Sequence, residues 1–79
     1  MDTITFTPHA QEQMTARDIT AEEVVETIVT PDYSRVGRQG RIIAEKDLET
    51  RILRVVYNEG QEEVVVITAV PVRKIGGGR

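Results

Sequence analysis

Ile52-Leu53-Arg54-Val55-Val56-Tyr57-Asn58-Glu59-Gly60-Gln61-Glu62-Glu63-Val64-Val65-Val66-Ile67 decides the fold. Leu53, Val55 and Tyr57 fall on one side of a strand, with Ile52 and Val56 on the other, because successive side chains of a strand alternate between faces. Asn58-Glu59-Gly60-Gln61 then reads as a hairpin turn, since its residues tolerate the positive φ that tight turns need. Val64-Val65-Val66-Ile67 is apolar on both faces, which predicts a strand in the middle of a sheet.

Upstream, further strands are expected over about 33–37 and 40–47, with the quoted pair over about 50–58 and 62–70. Gly37 and Gly40 bracket one turn, and Asp47-Leu48-Glu49 makes a tighter one. Thr3-Ile4-Thr5-Phe6 alternates and suits a short first strand that turns Ile4 and Phe6 to the core. Thr7-Pro8 opens a helix of about 8–17: threonine is a good N-cap and proline at the first helical position has no donor to leave unpaired. Ala10, Met14 and Ala16 are expected on its apolar side. Thr20-Ala21-Glu22-Glu23 is a capping box that starts a second helix of about 21–30, stopped by Pro31. Val24, Val25, Ile28 and Val29 give that helix its apolar stripe, while Glu22, Glu23 and Glu26 sit where the helix dipole favours negative charge. The order β-α-α-β-β-β-β predicts an α+β fold, two N-terminal helices on a twisted antiparallel sheet of about four strands, with the far sheet face free for a partner. One domain is expected over 1–71. Pro71 is expected to end the sheet, and 72–79, with Gly76-Gly77-Gly78, reads as a flexible tail.

The chain has 79 residues, enough for a single core only. It holds no cysteine and one histidine, so neither a disulfide nor a thiolate or multi-histidine metal site is expected, and no residues call for a cofactor. The N-terminus lacks the basic start and apolar run of a signal peptide, and no stretch approaches a membrane span. A cytoplasmic protein without membrane attachment is the expectation.

Net charge is −3, which argues against a generally basic nucleic-acid binder. Its distribution is uneven: residues 1–32 carry Arg17 alone against seven acids, whereas 33–57 carry six basic side chains against three acids. A local field of one sign still steers an anion, because the relevant range is about one Debye length. The same arginines on solvent-facing strand positions equally serve to keep a sheet soluble.

At Phe6-Thr7-Pro8-His9-Ala10, followed by Met14, Arg17, Ile19-Thr20, Val24 and the Ile28-to-Pro31 helix end, the chain resembles a family of short bacterial and phage domains of unknown function. The likeness continues through Arg41-Ile42-Ile43-Ala44-Glu45, Arg54-Val55-Val56-Tyr57 and Val66-Ile67-Thr68, and so covers roughly 6–71. It implies the fold of the RelE and ParE toxins of toxin–antitoxin operons, and with it ribonuclease activity, RNA or the ribosome as substrate and an antitoxin protein as partner. Gln13 departs from the pattern, standing where many members have a second arginine.

Metal-independent RNA cleavage needs a base near the ribose 2′-OH, a proton source for the leaving oxygen and cations for the phosphorane. His9 is the side chain whose ordinary pKa lies nearest neutrality. Arg17 falls on the same side of its helix, about 80° past two full turns. His9, Arg17 and Arg54 are therefore the expected catalytic set, and Arg41, Arg51 and Tyr57 the expected substrate contacts, by bidentate phosphate binding and base stacking. Each also has a scaffold reading: His9 fixing helix to strand, Arg17 pairing with Asp18 or Glu12, Tyr57 filling the core. Strand parity puts Arg51 with Leu53, Val55 and Tyr57 but Arg54 with Ile52 and Val56, so only one of the two arginines reaches the free face. The rival to a toxin-like endoribonuclease is a non-catalytic module that binds a protein partner, or a second copy of itself as a homodimer, through the sheet.

Overall fold

The computed structural model describes residues 3–72. Its elements are β1 (Thr3–Phe6), α1 (Pro8–Arg17), α2 (Ala21–Val29), β2 (Tyr33–Val36), β3 (Ile42–Asp47), β4 (Ile52–Glu59) and β5 (Glu63–Val72), with a 3-10 turn at Arg38–Gly40 between β2 and β3. The α+β class and the order of elements are as the sequence predicts. The sheet is not the four-stranded antiparallel one expected: it has five strands in the order β1-β5-β4-β3-β2, and β1 joins β5 in parallel, Thr3 opposite Glu63 and Phe6 opposite Val66. The helix pair supplies the crossover that a parallel pairing needs, carrying the chain off one edge before it re-enters at the other.

Local chemistry sets each element. Thr7 caps α1 by accepting the Ala10 N–H, with Pro8 at the first helical position. Asp18 ends the helix in a left-handed conformation at φ 57°, its N–H turned back to the carbonyls of Met14 and Thr15. The capping box of α2 forms in both directions: Thr20 Oγ1 accepts from the Glu23 N–H and Glu23 Oε1 accepts from the Thr20 N–H. The buried stripe of α2 differs from the expected valine set. Val24 and Thr27 are fully buried and Ile28 packs on the core, whereas Val29 is 67% exposed. Thr27 is tolerated inside because its hydroxyl donates to the Glu23 carbonyl at 2.9 Å, leaving only its methyl to the core. On α1, Ala10 is buried and Met14 packs on the core, but Ala16 is exposed.

The sheet turns one face to the helices. Ala44, Leu53, Val55, Tyr57, Val64, Val66 and Ala69 pack there against Ala10, Ile19 and Val24. Between Val66 and Ala69 the alternation slips, because Tyr57 pairs with Val66 but Val56 with Thr68, leaving Ile67 as an extra residue. This bulge keeps Ala69 inward where strict alternation would bury Thr68. Pro71 does not end the sheet as expected; it sits within β5 opposite Leu53. β1 stops opposite Val66, so Pro71 lies where β5 is itself an edge, and there a missing N–H breaks no ladder bond. Of the expected tail, Val72 belongs to β5 and 73–79 lie outside the described residues.

Candidate functional site

Arg51, the residue before β4, is the most heavily bonded cation of the described chain. Its Nη1 donates to the Arg17 carbonyl at 3.1 Å, and its Nη2 donates to the Asp18 carbonyl at 3.0 Å and to Glu23 Oε1 at 2.8 Å. One guanidinium thus holds the C-terminal carbonyls of α1, where the helix dipole favours a cation, and the capping glutamate of α2. The Thr20 backbone N–H, and after it the Arg51 guanidinium, hold the Glu23 carboxyl below its ordinary 4.5. Arg51 joins both helices to the sheet and has no donor pair left to present to a phosphate. These contacts match a scaffold reading of Arg51 rather than an exposed phosphate clamp.

Tyr57 likewise matches its scaffold reading. It is buried on the helix side of β4, and burial, followed by the charge of Glu59, raises its phenol above 10.0. A ring closed into the core offers no face to a base.

Arg54 points the other way. It stands directly opposite Glu45 on β3, donating Nε to Glu45 Oε2 at 2.8 Å, with Nη2 at 2.7 Å from the same oxygen. The ladder builds a surface around this pair. Ile43 lies beside Val56 and Val56 beside Thr68; Tyr33 lies beside Glu45 and Arg54 beside Val70; Ile52 lies beside Asp47 and Val72. Arg35, paired with Ile43, joins the same face, and Arg41, in step with Ile43 and Glu45, stands at its rim. Neither helix covers this face. Tyr33 and Arg35 belong to it although neither was among the expected site residues; the signal was available in the parity of 33 and 35 with 43 and 45 across a two-strand turn.

His9 and Arg17 lie in the helix layer, exposed at opposite ends of α1 and about 12 Å apart along its axis. The sheet stands between that layer and Arg54. Of the six expected site residues, only Arg41 and Arg54 share a surface, and His9 is brought to neither. The hollow along α1, floored by Phe6, Met14 and Ile19, includes neither His9 nor an arginine. Among the described residues no group of three histidine, aspartate or glutamate side chains is placed to hold a metal ion. No helix among them is long and apolar enough to cross a membrane.

The profile of a family described as a domain of unknown function, DUF4258, matches residues 6–71. The chain belongs to that family. No curated protein and no solved structure matches it. In this DUF4258 chain the two halves of the His-Ala pair have different surroundings: Ala10 is fully buried beneath α1, and His9 is exposed. Gln13, where the resemblance leads one to expect arginine, accepts the Ala69 N–H through Oε1 at 3.1 Å. An arginine has no acceptor for that N–H.

Proposed function

We propose that this DUF4258 chain is a non-catalytic interaction module that binds a protein partner through its open sheet face. The observation that carries the reading is the one-sided sheet: Ile43, Ile52, Val56, Val65 and Val70 stand on a face no helix covers, among Arg35, Arg41 and Arg54 and the opposed charges of Glu45, Asp47 and Glu63. Aliphatic groups with balanced charge suit a protein surface better than a polyanion, whose affinity comes from an excess of cations.

The test is a photo-reactive side chain placed at Val56, compared with one at Ala16 on the exposed side of α1. A discrete protein adduct from position 56 that is missing from position 16 is expected. Adducts of RNA at position 56, or equal protein adducts from both positions, would remove the proposal.

A RelE/ParE-type ribonuclease is the second reading. It is favoured by His9 and Arg17, whose side chains are exposed and make no hydrogen bond among the described residues. Purified chain incubated with total RNA distinguishes the two: loss of RNA that His9→Ala abolishes at unchanged fold supports cleavage, and intact RNA removes it.

A further inference from the structure

The two edges of the sheet are finished differently. On the β1 side, α1 reaches over the rim: Gln11 donates to the Phe6 carbonyl at 2.9 Å, Gln13 accepts from the Ala69 N–H, and Thr7 donates to the Ile67 carbonyl at 3.4 Å. On the β2 side all four residues are exposed and no helix side chain bonds to the strand. Gly37 donates to the Arg41 carbonyl, so by ladder alternation Arg35 bonds toward β3, while Ser34 and Val36 turn their N–H and C=O outward. Natural sheets seldom leave such a row unguarded.

Two of the most exposed apolar side chains lie at the same edge. The large hydrophobic side chains most exposed among the described residues are Val36 at 70%, Val29 at 67% and Tyr33 at 54%. Tyr33 and Val36 lie on β2 itself, and Val29 ends the helix that leads into it.

We propose that β2 pairs antiparallel with β2 of a second copy of this chain, about a two-fold axis at Ser34, joining two five-stranded sheets into one of ten strands. A two-fold contact must be self-complementary, and this register is. Ser34 meets the partner's Ser34 through the outward N–H and C=O of both, giving two backbone hydrogen bonds. Tyr33 then lies opposite the partner's Arg35, and Arg35 opposite the partner's Tyr33, on the open face at the positions where opposed side chains come closest. Each guanidinium gains an aromatic face. Moving the axis to Arg35 would set two like charges against each other, and a register offset by one residue would put a helix-side residue opposite an open-face one. Val36 flanks the junction on the helix side.

The pairing rests on the backbone edge of β2 and shares only Tyr33 and Arg35 with the open face, so it does not require a partner bound there. The chain has no cysteine, which makes single-thiol variants clean probes. Sedimentation of the full chain is expected to show a mass that rises with concentration from 8.9 kDa toward twice that value. Ser34→Cys is expected to yield covalent dimers with a short bis-maleimide, and Thr3→Cys, on the opposite edge, to yield none. Ser34→Pro, which removes the outward N–H, and Tyr33→Lys, which sets an ammonium opposite each partner's Arg35 in place of the aromatic ring, are each expected to weaken association at least about tenfold with unchanged circular dichroism. A constant monomer mass up to about 1 mM, equal cross-linking of the Ser34→Cys and Thr3→Cys variants, or dimers undiminished by Tyr33→Lys would overturn the proposal.

Discussion

Arg51 and Arg54 stand three residues apart on one stretch of chain, and each holds a single glutamate at nearly the same distance, 2.8 and 2.7 Å. Their surroundings differ. Arg51 faces the helices, its side chain 25% exposed, and adds two helix-end carbonyls to its glutamate; Arg54 faces outward, 45% exposed, and has Glu45 alone. The length of an ion pair therefore says little about its worth. What ranks the two is how many backbone groups lose their partner if the arginine goes, and whether water can replace it.

The contrast between the inner and outer faces of β4 can be broken in four ways. The largest effect is expected from Leu53→Ala, whose side chain is fully buried: about 3 kcal/mol lost by denaturant unfolding. Val56→Thr on the outer face should stay within about 1 kcal/mol, and equal losses at the two positions would mean the outer face is also a core. Next comes Arg51→Ala, expected to lose about 2 kcal/mol because two helix-end carbonyls and Glu23 lose a charged donor together. Arg51→Lys should recover only part of this, since an ammonium lacks the planar fork.

Acid unfolding sharpens the same comparison. The Glu23 pKa is lowered in the folded chain, so its stabilisation is complete above the ordinary 4.5 and is lost as the pH falls through the folded value. Arg51→Ala should lessen that acid dependence without removing it, because the Thr20 N–H, the larger cause, remains. Smallest is Arg54→Ala, expected to change stability by less than about 1 kcal/mol and to leave the helix layer untouched. A loss as large as that of Arg51→Ala would show that the Arg54–Glu45 pair ties the sheet together.

Much of this architecture was legible in the sequence because it is written in local chemistry. Thr7-Pro8 and the Thr20–Glu23 box each satisfy backbone groups within a few residues, so the pattern alone locates them; the hairpin turn sits later than Asn58–Gln61, because Asn58 and Glu59 stay paired in β4 and Gly60 donates to the Glu63 carbonyl, with no positive φ. Strand parity likewise separated Arg51 from Arg54. The parallel placement of β1 was hidden, since nothing in Thr3-Ile4-Thr5-Phe6 says which strand, 60 positions away, receives it. The Ile67 bulge was hidden too: Val65, Val66 and Ile67 are all apolar, and an extra residue among them leaves no trace in composition. Val29 misled because a valine at helical spacing reads as core, whereas in the fold it lines an open hollow on α2 with Ala21, Val25 and Glu26. For the site, residue type was readable and convergence was not. His9 and Arg54 are both suited to RNA chemistry, and placing a sheet between them is a property of topology rather than of either residue.

The union of β1 with β5 has a consequence for how the chain is made. Synthesis runs at about 5–20 residues per second, so the first strand waits several seconds before its neighbour has been polymerised. During that interval Ile4 and Phe6 have no β5 to join, and the β3–β4 hairpin, built from nearby residues, is free to assemble ahead of them. The strand that precedes the rest of the sheet in the chain is thus among the last to find its place.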